Sequence, residues 1–296
     1  MRFFFGLGFL LATALIAVAT PAHEPTHAVP TGAGKVVIDV GVPLEVFTYK
    51  AENYNGGPII LVFHGVGRNA EEYRDFATVL AERYGAIVAA PLFDLARFPS
   101  AAYQRGGIMK GKVAQSRENW TFTMVSKLVE GLRAREGRPD LPFYFLGHSA
   151  GGQFVVRMAA LAGALGAERL IAANPGSHLF PTRDANYGYG FGGLPEELSN
   201  DDAIRRYLAA PLTLYLGTGD NDPDYPSLDR TPEGLKQGLH RHARGLNCFA
   251  AALQLAEARG WEFNWRLVET PGIGHVAAQM FGAPEGKDAI FGADKK

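Results

Sequence analysis

Residues 143–152 read FYFLGHSAGG, an apolar run that leads directly into a glycine-rich G-x-S-x-G pattern around Ser149. The apolar run predicts a buried strand, and the Val-, Ala- and Met-rich residues after Gly152 predict a helix. A tight turn between a strand and a helix needs small neighbours and presents its serine at the carboxyl edge of the sheet. The helix N-terminus favours developing negative charge there. The pattern predicts a nucleophilic Ser149, whereas a glycine turn with a capping serine is the structural alternative.

Similar short runs of β-branched and aromatic residues recur on both sides of this segment. They predict strands at residues 35–40, 44–49, 58–63, 86–90, 142–146, 169–173, 212–216 and 262–268. Apolar residues at helical spacing lie between them, at residues 71–84, 120–135, 150–165 and 246–258. This alternation predicts one α/β domain over residues 35–283, built on an eight-stranded, mostly parallel, doubly wound sheet.

Two long connections interrupt the alternation, at residues 94–118 and 175–210. Long connections in compact domains are usually functional or disordered. The second lies between the sixth and seventh predicted strands and is rich in aromatic residues, so it predicts a lid or a substrate wall. Four aromatic residues are candidates for lining an acyl site, with core packing as the alternative: Trp120, Tyr187, Tyr189 and Phe191.

Both termini are predicted to lie outside the domain. Arg2, an apolar run and small residues up to Ala22 predict a signal peptide over residues 1–22, cleaved after Ala19 or Ala22. An uncleaved membrane anchor is the alternative, because the apolar run approaches the length of a bilayer span. Residues 23–34 are predicted to be a disordered mature N-terminus, and residues 284–296 a C-terminal tail. We therefore expect an exported protein, either periplasmic or secreted, with no stable membrane insertion after cleavage.

Composition excludes several classes of protein. Of 296 residues, 47% are hydrophobic and 20% charged, values that exclude wholesale disorder. The net charge of −1 gives no reason to expect nucleic acid or an anionic membrane as a partner. The single cysteine, Cys248, cannot form an internal disulfide. The oligomeric state is not indicated by any of these features.

The residues that would activate Ser149 follow it in the chain. In this type of site the order is serine, then an acid, then a histidine. Asp220 lies just after the strand at 212–216 and is the first choice of acid, with Asp222 as the alternative. His275 follows the last predicted strand on the loop PGIGH and is the expected base.

Two backbone N–H groups are expected to form an oxyanion hole. One belongs to the residue after the nucleophile, Ala150, and the other to the loop after the third strand. That strand ends in His64-Gly65-Val66-Gly67, which makes the Val66 N–H the second candidate donor. An ordinary glycine-rich turn before a helix is the alternative interpretation of this loop.

With these residues identified, the chain resembles the α/β-hydrolase superfamily from about Lys35 to Phe281. The segments FHGVGRN, LGHSAGGQ, LGTGDNDPDYPSL and PGIGH are similar to those of exported poly(3-hydroxybutyrate) depolymerase-like and feruloyl-esterase-like serine hydrolases. The resemblance implies a triad of Ser149, Asp220 and His275, with Val66 and Ala150 at the oxyanion hole. The chain departs from that pattern in its Asp220–Asp224 acidic cluster and in having no cysteine pair.

The expected function is cleavage of carboxylic esters through an acyl-enzyme, on a small-molecule or polymeric ester. This chemistry requires no metal and no organic cofactor. The sequence HEPTH at residues 23–27 matches a zinc motif, but its internal proline argues against the necessary helix. A serine peptidase or amidase on the same triad is the alternative, followed by a non-catalytic binding protein with this fold.

Overall fold

A computed structural model describes Met1 and residues 27–292. The strands of these residues are β1 (Gly32–Asp39), β2 (Pro43–Lys50), β3 (Ile59–Phe63), β4 (Ile87–Pro91), β5 (Met109–Lys110), β6 (Val113–Ala114), β7 (Phe143–His148), β8 (Arg169–Ala173), β9 (Leu212–Gly217) and β10 (Arg266–Thr270). Eight of them form one sheet in the order β1-β2-β4-β3-β7-β8-β9-β10, and β5 and β6 form a separate hairpin. The β1–β2 and β2–β4 pairs are antiparallel and the other five are parallel. The predicted eight-stranded, mostly parallel sheet is therefore confirmed.

The helices lie on both faces of the sheet. They are α1 (Ala70–Phe76), α2 (Thr78–Tyr84), α3 (Thr121–Glu136), α4 (Ala150–Leu161), α5 (Glu196–Ser199), α6 (Asp201–Leu208), α7 (Pro232–Gln237), α8 (Arg241–Arg259), α9 (Ala277–Gly282) and α10 (Gly286–Phe291). The single helix predicted at 71–84 is two helices, α1 and α2, separated at Ala77. Helix α8 begins at Arg241, five residues before the start predicted at residue 246. Arg241 itself contacts the candidate site described below.

Strand β3 shows why the central strands are apolar throughout. Ile59, Leu61 and Phe63 face one core cluster, which includes residues of α3, α4, α6 and α8. Ile60 and Val62 face the other cluster, which includes residues of α1, α2, α9 and α10. A parallel strand covered on both faces cannot alternate apolar and polar residues. The parallel arrangement brings the carboxyl ends of β3, β7, β8, β9 and β10 to one edge of the sheet.

The boundaries predicted for the domain need correction at both ends. Residues 284–292 are not a tail, because α10 packs on the sheet and buries Ala289 and Ile290. Residues 27–34 are not disordered either: Val29 is buried, its N–H donates to Oε1 of Glu136 at 2.9 Å, and β1 begins at Gly32. The predicted signal peptide and the residues at 23–26 lie outside the described part of the chain. Within residues 27–292, no helix is both long and apolar enough to cross a bilayer.

The excursion at 175–210 has two different halves. Residues up to about 193 form an irregular segment held by tight backbone bridges, such as Tyr187 N–H to the Gly192 carbonyl at 2.8 Å. The second half contains α6, which buries Ile204 and Tyr207 in the core. The Tyr207 hydroxyl donates to the Leu179 carbonyl at 3.0 Å. Only the first half therefore remains a candidate for a substrate wall.

Candidate active site

Ser149 occupies a sharp turn between β7 and α4. Its backbone angles are φ 58° and ψ −115°, a left-handed conformation that is unfavourable for a residue with a side chain. The two flanking glycines make the turn sterically possible. A Cβ on Gly147 would lie 2.2 Å from the Gly151 carbonyl oxygen, and one on Gly151 would lie 2.0 Å from that of Phe63. The G-x-S-x-G spacing is thus required by packing, and it holds the serine at the carboxyl edge of the sheet.

A continuous chain of hydrogen bonds joins three residues that are far apart in sequence. Nε2 of His275 lies 2.9 Å from Oγ of Ser149, and Nδ1 of His275 lies 2.7 Å from Oδ2 of Asp220. Because an ionised carboxylate only accepts hydrogen bonds, Nδ1 carries the proton. Nε2 is then free to accept the hydroxyl proton of Ser149. The geometry is compatible with the predicted roles of Ser149 as nucleophile, His275 as base and Asp220 as acid.

The structure separates the two candidate acids. Asp220 is buried in a turn after β9, where its N–H donates to the Gly217 carbonyl at 3.0 Å. Asp222 is exposed, and its Oδ1 accepts the Asp224 N–H at 2.8 Å. Only Asp220 contacts His275, so the alternative acid has a local turn-stabilising contact and no contact with the base.

Arg241, at the start of α8, lies against the other oxygen of Asp220. Its Nη1 is 3.4 Å from Oδ1 of Asp220, and the two side chains are 1% and 2% exposed. Its Nη2 donates to Oγ of Ser227 at 3.0 Å. Burial lowers the pKa of the Arg241 guanidinium, and the Asp220 charge opposes that shift. The cation balances the buried carboxylate that faces His275.

Tyr225 contacts both His275 and Arg241. Its ring meets that of His275 edge-on at 5.2 Å, and the Arg241 guanidinium lies over it at 4.5 Å. Neither Tyr225 nor Arg241 was found by sequence reasoning. Tyr225 belongs to the DNDPDYPSL segment that carried the family resemblance, so that segment was the available signal.

Asn174, at the end of β8, ties the acid loop to the base loop. Its Oδ1 accepts the Gly217 N–H at 2.8 Å, and its Nδ2 donates to the Gly274 carbonyl at 3.1 Å. The residue is fully buried and has φ 43°. One amide therefore fixes the spacing between the loops that bear Asp220 and His275. No sequence motif pointed to this residue.

The loop after β3 lies beside the nucleophile. A Cβ on Gly65 would come 3.8 Å from Cβ of Ser149. Within residues 27–292, neither the Val66 N–H nor the Ala150 N–H donates a hydrogen bond, so both are available to a ligand. The Val66 side chain points to solvent at 56% exposure and takes no part. This arrangement is compatible with the predicted oxyanion hole.

The buried side chain of His64 holds that loop in place through hydrogen bonds to the backbone. Its Nδ1 donates to the Gly65 carbonyl at 2.9 Å, and its Nε2 accepts the Phe93 N–H at 3.2 Å. The Tyr103 hydroxyl donates to the His64 carbonyl at 2.8 Å. Burial lowers the pKa of His64 to about 4, so the ring is neutral at pH 7 and keeps this bonding pattern.

His148 lies directly behind the base and does not reach Ser149. Its ring centroid is 4.7 Å from that of His275, and its Nδ1 is 3.0 Å from the Tyr73 hydroxyl. Burial holds the pKa of His148 well below its usual value. A neutral His148 places no positive charge beside the His275 ring.

The four aromatic residues predicted as candidates for an acyl site lie in two different environments. Trp120 and Phe191 are buried: the Trp120 indole N–H donates to the Gln115 carbonyl at 2.8 Å, and the Phe191 ring packs 5.8 Å from that of Tyr207. These two belong to the core and not to a substrate wall. Tyr189 lines a cavity of about 580 Å³ and Tyr187 lines another of about 560 Å³, so the prediction that they form a substrate wall stays open for these two residues.

The architecture and the serine turn are those of an α/β hydrolase, and comparison with solved structures agrees. The chain is 34% identical to poly(aspartic acid) hydrolase-1 from Sphingomonas sp. KT-1, with a TM-score of 0.78 over 85% of this chain and 96% of that one. It is 31% identical to LpqC, a poly(3-hydroxybutyrate) depolymerase from Bordetella parapertussis, with a TM-score of 0.79 over 87% of this chain and 90% of that one. No protein-family model and no curated protein sequence matches the chain. The chain belongs to the α/β-hydrolase superfamily and is a serine hydrolase.

Proposed function

We propose that the chain is an exported hydrolase of carboxylic esters in which Ser149 is the nucleophile, His275 the base and Asp220 the acid. The observation that carries this proposal is the unbroken hydrogen-bond chain from Asp220 through His275 to Ser149. The similarity to a poly(3-hydroxybutyrate) depolymerase, which acts on a polyester, supports an ester as the substrate class.

Acylation follows from the positions of these atoms. Oγ of Ser149 attacks the ester carbonyl carbon while Nε2 of His275 takes its proton. The tetrahedral oxyanion forms opposite the Val66 and Ala150 N–H groups, and each such donor is worth about 10²- to 10³-fold in kcat. His275 then gives its proton to the departing alkoxy oxygen, so the alcohol leaves and Ser149 is acylated. Asp220 stabilises the transient imidazolium.

Deacylation repeats these steps with water. His275 takes a proton from a water molecule, whose oxygen attacks the acyl carbon of the Ser149 ester. The second tetrahedral intermediate collapses, His275 returns the proton to Oγ of Ser149, and the carboxylic acid is released. Every proton in the cycle passes through Nε2 of His275, and no redox partner or metal takes part.

Amide hydrolysis is the second candidate, and one observation favours it. The similar Sphingomonas enzyme is named for hydrolysis of poly(aspartic acid), a polymer linked by amide bonds. The same triad attacks both bond types, but an amide leaves only after its nitrogen is protonated. An amide therefore depends more strongly than an ester on proton delivery from His275, and matched substrates distinguish the two activities.

Matched esters and anilides test the proposal. Wild-type protein should hydrolyse p-nitrophenyl acetate and butyrate, and Ser149→Ala should reduce kcat by about 10⁶-fold. The control is Ser116→Ala, which removes the hydroxyl of an exposed serine that belongs to neither the triad nor the oxyanion loop. It should leave turnover unchanged. Turnover of the p-nitroanilides faster than that of the esters would favour the amidase. Equal ester turnover by Ser149→Ala and wild type would refute the triad.

Export is the part of the proposal that depends on the sequence alone. The protein recovered from the periplasm or the culture medium should have the mass of a chain that begins at Thr20 or His23. A full-length chain retained in the membrane fraction would instead indicate an uncleaved anchor.

A further inference from the structure

Tyr189 lines a cavity of about 580 Å³, and two of its other lining residues connect it to the candidate active site. One wall is Gln153, in the first turn of α4, whose N–H donates to the Ser149 carbonyl at 3.0 Å. Another is Ser227, which accepts the hydrogen bond from Arg241. We call this cavity the arginine pocket, because Arg105 and Arg157 are both among its lining residues.

Arg157 is a buried cation without an acidic partner. Its side chain on α4 is almost fully buried, and its guanidinium donates to the Gln153 carbonyl at 3.0 Å, to Oγ of Ser177 at 3.0 Å and to the Gly188 carbonyl. Its Nε is buried and has no hydrogen-bond partner in the described part of the chain. No salt bridge to Arg157 occurs among residues 27–292. A buried charge without a counter-ion is costly, so an anion from outside would be favourable here.

The second cation of the pocket is Arg105, which is exposed at its rim. Arg105 forms no salt bridge with any described residue, and its guanidinium lies 6.0 Å from the Tyr189 ring centroid. Burial lowers the pKa of Arg157 to about 10, and the charge of Arg105 adds to that shift. The Arg157 guanidinium is therefore still protonated at neutral pH.

One acidic side chain, Asp229, also lines the pocket, but its oxygens have other partners. Its Oδ2 accepts the Tyr189 hydroxyl at 2.6 Å and its Oδ1 accepts the Thr231 N–H at 2.9 Å. Burial raises the pKa of Asp229, but the hydrogen bonds from Tyr189 and Thr231, followed by the charge of Arg244, outweigh it and leave the pKa below its usual value. Asp229 thus positions the Tyr189 hydroxyl and forms no ion pair with Arg105 or Arg157.

We propose that the arginine pocket binds a free carboxylate of the substrate, so that the preferred substrates are esters carrying a carboxylate within reach of Arg105 and Arg157. The chemistry suits this ligand, because the exposed guanidinium of Arg105 presents parallel N–H donors to the two oxygens of a carboxylate, and the buried charge of Arg157 adds to the attraction. The inference rests on the proposed ester hydrolysis and specifies its substrate class.

Substrates that differ only in charge test the pocket. Monoethyl adipate, with a free carboxylate on the acyl side, is compared with the neutral carboxamide that replaces this carboxylate. A second pair, 3-(butanoyloxy)propanoate and its carboxamide, places the same groups on the alcohol side. A hydrogen bond to a charged group contributes roughly 1.5–3 kcal/mol, so wild type should prefer the acid of at least one pair by about 10- to 100-fold in kcat/KM.

Arg105→Gln should reduce that preference to less than about threefold, mainly through KM, because the rim cation supplies binding. Arg205→Gln is the matched control: Arg205 is exposed on α6, pairs with Asp202 at 3.0 Å and does not line the pocket. It should keep the full wild-type preference. Equal kcat/KM for acid and carboxamide in both pairs, or the same loss of preference in Arg205→Gln, would overturn the proposal.

A binding measurement separates this inference from the proposed function. Calorimetric titration of Ser149→Ala with adipate should give binding that Arg105→Gln weakens by about tenfold or more. If neutral esters are hydrolysed but adipate does not bind, the pocket proposal fails and ester hydrolysis stands. If adipate binds through Arg105 but no ester is hydrolysed, the pocket stands and the proposed function fails.

Discussion

Replacing Arg241 by methionine removes the cation that faces the candidate acid while keeping much of the side-chain volume. Arg241 is 1% exposed and its Nη1 lies 3.4 Å from Oδ1 of Asp220, which is 2% exposed. The change leaves a buried carboxylate with His275 as its remaining side-chain partner. We expect a loss of stability and a slower reaction, because the charge that orients His275 is no longer balanced.

The distance sets the size of the effect. Two unit charges 3.4 Å apart attract by about 5 kcal/mol at an effective dielectric constant of ~20. Breaking a buried ion pair by removing one partner typically costs ~3–5 kcal/mol. We therefore expect the free energy of unfolding of Arg241→Met to fall by about 3–5 kcal/mol. The kcat should fall as well, but by less than the ~10⁴-fold expected when the acid itself loses its charge.

A double-mutant cycle isolates the ion pair from the rest of the contacts. Urea unfolding followed by circular dichroism gives the free energies of wild type, Arg241→Met, Asp220→Asn and the double variant. In the Asp220→Asn background the guanidinium is itself a buried charge without a partner, so Arg241→Met should be neutral or stabilising. The coupling free energy should then be about 3–5 kcal/mol.

Two results would refute this reasoning. If Arg241→Met costs the same in both backgrounds, the stabilisation comes from the stacking on Tyr225 and the hydrogen bond to Ser227, and not from the charge of Asp220. If Arg241→Met is as stable as wild type and equally active, Arg241 is not required to balance the acid.

Two further predictions concern the acid and the buried histidines. Asp220→Asn should lower kcat by about 10⁴-fold on p-nitrophenyl butyrate, whereas Asp222→Asn should change it by less than about twofold; the reverse order would make Asp222 the acid. Burial lowers the pKa of His64 to about 4, that of His178 to about 3 and that of His148 well below 6.5. The unfolded chain then binds protons near pH 6.5 that the native chain does not, so the free energy of unfolding should fall as pH drops from about 6.5 towards 4, by up to ~1.4 kcal/mol per pH unit for each ring. Urea midpoints that stay constant between pH 7.5 and 5 would contradict this prediction.

The fold could be predicted because its evidence is local in sequence. Continuous apolar runs indicate strands that are covered on both faces, and β3 and β7 are such strands. The serine turn could be located for a related reason: the glycines at 147 and 151 leave room for backbone that would clash with any Cβ. A packing requirement of this kind leaves a signature within a few residues.

The supporting residues could not be predicted because their function depends on distant partners. Asn174 bridges the Gly217 and Gly274 backbones, 43 and 100 residues away. Arg241 meets Asp220 across 21 residues, at a helix start that apolar periodicity alone placed too late. Exposed and buried aromatic residues look the same in a sequence, and for that reason Trp120 and Phe191 were candidates for the acyl site although both are buried in the core.

The arginines of the site differ in what neutralises them, and that difference connects stability to substrate choice. Arg241 is balanced within the protein by Asp220, so its charge stabilises the native state with or without substrate. Arg157 is buried at a similar depth but meets only carbonyl and hydroxyl oxygens. Its desolvation is therefore incompletely compensated in the free protein, and a carboxylate entering the arginine pocket would compensate it. The unbalanced charge of Arg157, together with the exposed charge of Arg105 at the rim, is therefore what we expect to select an anionic substrate.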